Sequence, residues 1–368
     1  MISKIKKGLT SDLVKVFSFT GLSTLIKLIT SYITVKVVAS VIGPAGVALV
    51  GQLQNFTAIF TTIGAGGINN GVVKYVSEHK DEESELKKYL KNGFKLTSFF
   101  SLISGFFLII LSVYLSKWIL FEDKYYYLFI LFGVSLVLLS FNNFFLSVLN
   151  GFKEFKTFVT INIFTNIVSL LFTVVLVWLY DLQGALIAVV TYQGIILFIT
   201  LFYLRKKSWF SKELWGSWDK AVIRKYLSFS LMALVTAMTV PVSQLLIRGY
   251  IIKEFSITEA GFWEGINRIS AMYLMFVTTS FSVYYLPKLY EIKEDKLLRQ
   301  EILKTYKIIT PVIFVNLLII YLLKDLVINI LFTKEFYPMK ELFLWQLIGD
   351  FFKILSWMLA FVMVAKSM

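Results

Sequence analysis

The chain is predicted to be an all-α, polytopic membrane protein, and three observations carry that prediction. It is 57% hydrophobic and 17% aromatic but only 16% charged over 368 residues, far from the composition of soluble domains. Apolar runs of about 20 residues, the length that crosses a bilayer as a helix, recur along it. The lysines and arginines behind a formal net charge of +14 sit mostly in the short segments between those runs. Placed there, they act as orientation signals and as contacts for anionic headgroups, so nucleic acid is not the expected partner. With no cysteine, and a single histidine, His79, in a charged loop, no metal site and no cofactor are expected. No nucleophile, phosphate loop or paired carboxylates stand out, which argues against an enzyme.

Ten spans are expected, near 16–42, 46–73, 94–116, 126–149, 157–180, 184–204, 226–252, 260–286, 308–331 and 341–365. The start has the basic flank of a signal peptide but no small-x-small cleavage site, so the first span is expected to stay. That span carries Lys27 and Lys36 within its apolar run. A lysine at mid-membrane costs about 2.5–3.5 kcal/mol on insertion scales, so such side chains face a bundle interior or a water-filled cavity. Lys27 lies near the midplane. Lys36 follows about 13.5 Å further along and about 180° round an ideal helix, where snorkelling to the interface competes with a place in the cavity.

The first turn, at Gly43 and Pro44, is uncharged. GAGGINNG (64–71) has a spacing that no dinucleotide loop requires and reads as a flexible or closely packed helix end. VSEHKDEESELKK and EIKEDKLLRQE mix charge signs and read as solvated short helices. Asp181 is the only charge in the turn after span five. Residues 205–225 form a connector in which Trp209, Trp215 and Trp218 alternate with charges, as suits the headgroup layer. In span seven Gln244 and Arg248 share a face just after Pro241, a predicted kink. Glu264 and Arg268 in span eight, and Asp350 and Lys353 in span ten, are spaced to neutralise each other. Lys74, Lys153, Lys288 and Lys366 fall at helix ends as interface anchors. The basic groups Lys4, Lys6, Lys7 and Lys15, and those at 80–95 and 205–225, place both termini in the cytoplasm.

The chain also repeats itself. FSFTGLSTLIKLITSYITVK (17–36) aligns without a gap on FSLMALVTAMTVPVSQLLIR (229–248), setting Lys36 on Arg248, and KWILF (117–121) falls on INILF (328–332). Helices seven to ten therefore copy helices one to four, and residues 17–150 are expected to superpose on 229–366. An even number of spans per copy gives two lobes of one orientation, 1–204 and 226–368, with a transporter-like substrate path between them. Two further helices would complete the second lobe.

VIGPAGVALVGQLQNF, GAGGINNGVVKYV, FSLMALVTAMTVPVSQLLIR, FVTTSFSVYYLPKL and LFLWQLIGDFFKIL resemble, in order and spacing, the Wzx-type flippases of the polysaccharide exporter branch, above all the enterobacterial common antigen translocases. The resemblance implies a two-lobe fold of the multidrug-exporter type, with twelve helices of which ten are present. It implies transfer of undecaprenyl-pyrophosphate-linked oligosaccharide across the bacterial inner membrane for surface polysaccharide synthesis, with a polysaccharide polymerase and a chain-length regulator as further partners. It also implies that Lys27, Lys36, Lys74, Arg248, Asp350, Lys353 and Lys366 occupy positions where related translocases carry those residue types; Glu264 and Arg268 depart from that pattern.

Physically, a pyrophosphate leaving water requires cations, so Lys27 and Arg248, supported by Lys36 and Arg268, are the expected substrate-binding residues. Asp350, Lys353 and Glu264 are the expected ion-coupling or internally paired groups. A cation-coupled multidrug exporter is the first alternative, but it calls for unpaired carboxylates in the first lobe, whose spans have no Asp or Glu. A non-transporting scaffold for polysaccharide assembly is the second, and it leaves the interior lysines without a purpose.

Overall fold

In a computed structural model, the backbone is described for residues 2–207, 209–210, 218–292 and 294–366, and side chains from residue 21 onward within these ranges, except at 229, 283, 287, 291, 295 and 366. The side chains of the N-terminal lysines and of Lys366, and all of Trp215, lie outside them. Helices account for almost all of the described residues: α1 (Ile2–Gly64), α2 (Asn69–His79), α3 (Glu83–Ile110), α4 (Ser112–Leu120), α5 (Tyr126–Gly151), α6 (Phe155–Leu204), α7 (Lys220–Glu254), α8 (Ile257–Ser280), α9 (Leu286–Glu291), α10 (Asp295–Leu322), α11 (Lys324–Leu331) and α12 (Phe343–Lys366).

Among the described residues, seven helical stretches are long and apolar enough to cross a membrane, and two of them, 44 residues within α1 and 50 in α6, have the length of two crossings. Each breaks where the sequence places a turn. α1 leaves helical geometry at Gly43, whose φ of 62° is open to glycine at little cost, immediately before Pro44. α6 breaks at Tyr180 and Asp181. There the Leu176 carbonyl comes so near Gly184 that an added Cβ would lie 1.8 Å from it, although eight residues of continuous helix would span about 12 Å. The chain reverses at that point. Counting both arms of α1 and α6 with α3, α5, α7, α8, α10 and α12 gives ten spanning arms among the described residues. α8 falls outside the seven because Glu259, Glu264 and Arg268 interrupt its apolar run. This is the multi-pass, all-α architecture expected.

Large apolar side chains on the outside, such as Phe106, Leu231 and Trp345, are the surface that lipid covers. Hydroxyls within the spans are largely absorbed by their own helices: Thr34 donates to the Thr30 carbonyl at 2.8 Å, and Ser98 to that of Phe94 at 2.8 Å. Between α5 and α6, Thr200 donates to Asn142 at 2.6 Å. α7 continues through Pro241, although the ring removes one backbone donor. By contrast, α8 gives way to a π-turn at Phe281–Tyr285, just ahead of Pro287 in the sequence.

The same order of elements occurs twice. A 28-residue helix broken from a short one, a 3₁₀ turn and then a spanning helix make up α3, α4, Asp123–Tyr125 and α5, and again α10, α11, Lys334–Leu342 and α12. That recurrence covers the KWILF and INILF segments aligned in the sequence.

Contacts divide the chain into two compact units, Met1–Ile42 with Leu49–Glu254, and Gly43–Ala48 with Phe255–Met368. α7, the first helix of the second repeat, thus belongs by its contacts to the first unit. The reason lies at its start. Asp219 pairs with Lys88 at 3.0 Å, and its N–H donates to Asn92 at 3.0 Å. Lys225 donates to the Tyr89 hydroxyl at 2.8 Å, and Tyr226 to the Tyr89 carbonyl at 3.2 Å, within a buried cluster where Tyr75 and His79 stack on Tyr89. The Lys88 hydrogen bond, then the Val222 N–H, hold the Asp219 carboxyl below its ordinary range. A carboxylate so lowered favours the folded state above its unfolded pKa, and that contribution is lost as pH falls through the folded value.

Nearby, Trp209 stacks on Phe152 and donates to Glu154 at 3.3 Å, and Lys95 lies 5.0 Å from the Trp218 ring. These connector rings therefore close over helix ends as well as carrying interfacial character. Of the expected anchors, Lys74 pairs with Glu78 at 3.8 Å, and Lys288 with Glu301.

In the second unit the α1 turn lies directly on α8. A Cβ on Gly261 would fall 2.0 Å from the Pro44 carbonyl oxygen, a contact only a missing side chain permits. Gly261→Val is expected to destabilise the protein by about 1–3 kcal/mol through this overpacking. A lower denaturation midpoint in detergent checks it, and an unchanged midpoint would contradict the packing described.

Candidate functional site

Within the first unit, the second arm of α1 carries Gln52 and Asn55 on one face, three residues apart, and α7 carries Gln244 and Arg248, four apart. Arg248 is among the largest side chains fully buried, 1% exposed. Its guanidinium donates to the Gln52 amide oxygen at 3.3 Å. With the Asn55 amide turned so that its oxygen faces the arginine, that oxygen accepts at 3.0 and 3.2 Å, and the Asn55 nitrogen donates to Gln244 at 3.2 Å. Gln52 also donates to the Leu245 carbonyl at 3.2 Å, and its amide nitrogen lies close over Gly249. An arginine in a spanning segment is thus oriented by the amides of Gln52 and Asn55. On the first arm of α1, Lys27 is exposed and Lys36 half-buried.

The second unit holds a buried carboxylate. Asp350 in α12 is 2% exposed and accepts from the Ser270 hydroxyl at 2.5 Å, from the Tyr273 hydroxyl, and from Gln346 at 3.2 Å. The expected pairing with Lys353 is not formed. Lys353 is exposed and lies 5.5 Å from the Trp357 ring, one turn on along α12. Hydroxyl donors supplied by α8 satisfy the carboxylate without drawing an ammonium into the bilayer, and the longer lysine stem runs outward. The Glu264–Arg268 pair does form, Nε to carboxylate at 2.8 Å, with both side chains mostly buried. Arg268 is therefore engaged on its own helix. Among the described residues no cluster of His, Cys, Asp or Glu is arranged to hold a metal.

Sequence reasoning singled out Arg248, Glu264, Arg268 and Asp350, all of which are buried or nearly so in spanning helices. It missed Gln52, Asn55, Ser270, Tyr273 and Gln346. The available signal was the pair of amides three apart in an apolar run; Ser270 and Tyr273 give none, because hydroxyls within spans mostly bond to their own helix.

Ten all-α spanning arms among the described residues, with an amide-held arginine buried in the first unit and a hydroxyl-held carboxylate buried in the second, have the design of a multi-pass transporter. Solved structures of that class share the fold. A multidrug resistance MATE family transporter of the MOP superfamily in an inward-facing conformation matches with a TM-score of 0.64 at 13% identity, over 92% of this chain and 78% of that one. A MOP superfamily transporter from Pyrococcus furiosus matches with a TM-score of 0.51 at 13% identity, over 95% and 84%. The chain belongs to the polysaccharide biosynthesis protein family, whose model matches residues 13–293. Among curated proteins, the lipid III flippases of Escherichia coli (strain K12) and Shigella flexneri are each 28% identical over 357 residues, covering 97% of this chain and 86% of theirs.

Proposed function

We propose that the protein is a flippase that moves undecaprenyl-pyrophosphate-linked oligosaccharide across the bacterial inner membrane by alternating access, for surface polysaccharide synthesis. The observation that carries this reading is Arg248, a buried guanidinium in a spanning helix of a chain that aligns almost end to end with two lipid III flippases. A pyrophosphate can enter a membrane interior only against fixed positive charge, whereas its lipid tail can remain in the bilayer. Arg248 and Lys27 hold the pyrophosphate in this reading, with Lys36 in support. Arg268 joins them only by leaving Glu264, so its part is secondary.

Asp350 is the coupling group. It is a buried carboxylate held by three neutral donors, Ser270, Tyr273 and Gln346, inside a spanning helix. Lys353 at the exposed edge of α12 serves as an anchor. Two lobes, 1–204 and 226–368, alternate access in this reading, with α7 of the second held on the first through Asp219, Lys225 and Tyr226, and both termini lie in the cytoplasm; a polysaccharide polymerase and a chain-length regulator are the partners that would receive the product.

Reconstituted vesicles test this. The protein is expected to transfer a fluorescent undecaprenyl-pyrophosphate oligosaccharide from one leaflet to the other and to leave a lipophilic cationic drug untransported. Drug transport without glycolipid transfer would overturn the reading in favour of a multidrug exporter.

A further inference from the structure

A cleft outside both charged constellations lies within the first unit, where the end of α1 and the turn into α2 face α7. Its volume is about 350 Å³, at the lower end of small-molecule pockets. The polar groups in its wall are Thr61, Thr62, Asn69, Asn70 and Thr236, and among the described residues no acidic or basic side chain lines it, in a chain with a net charge of +14. Thr62 donates to the Ala58 carbonyl at 3.0 Å and Thr236 to that of Met232 at 2.8 Å. Each hydroxyl proton is thereby used within its own helix, and the oxygen lone pairs remain to accept.

Asn69 Oδ1 is buried with no hydrogen-bond partner. Such an orphan costs about 1–3 kcal/mol, a penalty that a donor from a ligand would relieve. α2 starts at Asn69 without a side-chain cap, so first-turn N–H groups add donors at the same end.

Uncharged acceptors and donors crowded into one wall match a polyhydroxyl ligand, in which every O–H both donates and accepts. They match a pyrophosphate poorly, since that asks for cations. We propose that this cleft binds the sugar portion of the lipid-linked oligosaccharide through Asn69, Asn70, Thr62 and Thr236, apart from the cationic grip on the pyrophosphate. The proposal rests on the flippase reading and adds to it where the glycan is recognised.

The chain has no cysteine, so a single Ala237→Cys variant, at an exposed position in the cleft wall outside the proposed binding residues, reports occupancy of the cleft by thiol labelling. Undecaprenyl-pyrophosphate oligosaccharide at twice its Kd is expected to slow labelling by about threefold, whereas undecaprenyl pyrophosphate without sugars leaves the rate unchanged. Thr62→Val with Thr236→Val should raise the KM for glycolipid transfer by about two- to tenfold for each hydrogen bond lost. Equal labelling with both lipids, in vesicles where the cysteine-free protein transfers glycolipid, would overturn the cleft and leave the flippase reading intact. Absence of glycolipid transfer by the cysteine-free protein would overturn the flippase reading itself.

Discussion

Arg248→Ala should all but abolish glycolipid transfer while folded protein remains in the membrane. The guanidinium is held by Gln52 and Asn55 at 3.0 to 3.3 Å, so its removal takes away the fixed cation and leaves the amides without their donor. Truncating one side of a buried, charged hydrogen-bonded contact costs about 2–5 kcal/mol, which corresponds to a rate or affinity loss of about 30-fold or more. Arg248→Lys restores the charge but not the fork that reaches both amides, so it is expected to recover only part of the activity. Initial rates of leaflet transfer, normalised to protein surviving size-exclusion chromatography, check this. Full activity in the lysine variant would show that charge alone matters, and full activity in the alanine variant would remove Arg248 from the path.

Asp350→Asn should uncouple transport from the proton gradient. The substitution preserves shape but turns one acceptor oxygen into an amide donor, which then faces the hydroxyls of Ser270 and Tyr273. Hydrogen bonds to a charged group contribute about 1.5–3 kcal/mol, so a loss of about 10- to 100-fold in gradient-driven transfer is expected. The second unit should remain folded, because the carboxamide fills the same volume between α12 and α8. Transfer measured with and without an imposed proton gradient distinguishes the outcomes. A variant that still responds to the gradient as the parent does would exclude Asp350 as the coupling group.

Much of the architecture is legible in the sequence, because its signals are local. Gly43 with Pro44, and the charged Asp181, mark turns in runs that would otherwise read as over-long helices, and both helices break there. Spacing by four placed Glu264 and Arg268 on one face, and they pair. Spacing by three suggested the same for Asp350 and Lys353, yet that pair does not form. Helical periodicity states which residues of one helix share a face but not what a neighbouring helix offers, and α8 offers Ser270 and Tyr273 to Asp350. For the same reason the amide cage of Arg248 could be seen only from the α7 side, through Gln244. The attachment of α7 to the first unit was hidden as well. It depends on Asp219, Lys225, Tyr226 and Ser230 meeting Lys88, Asn92, Tyr89 and Gly66, contacts between segments more than 120 positions apart in the sequence.

The most direct test of the account is leaflet transfer of a labelled lipid-linked oligosaccharide in vesicles, comparing the parent protein, Lys27→Arg and the double variant Lys27→Ala with Arg248→Ala. The parent is expected to transfer the lipid, Lys27→Arg to retain part of the rate because a mobile headgroup needs charge more than fork geometry, and the double variant, inserted and folded, to be inactive. Parent-level rates from the double variant would contradict the claim that these cations carry the pyrophosphate.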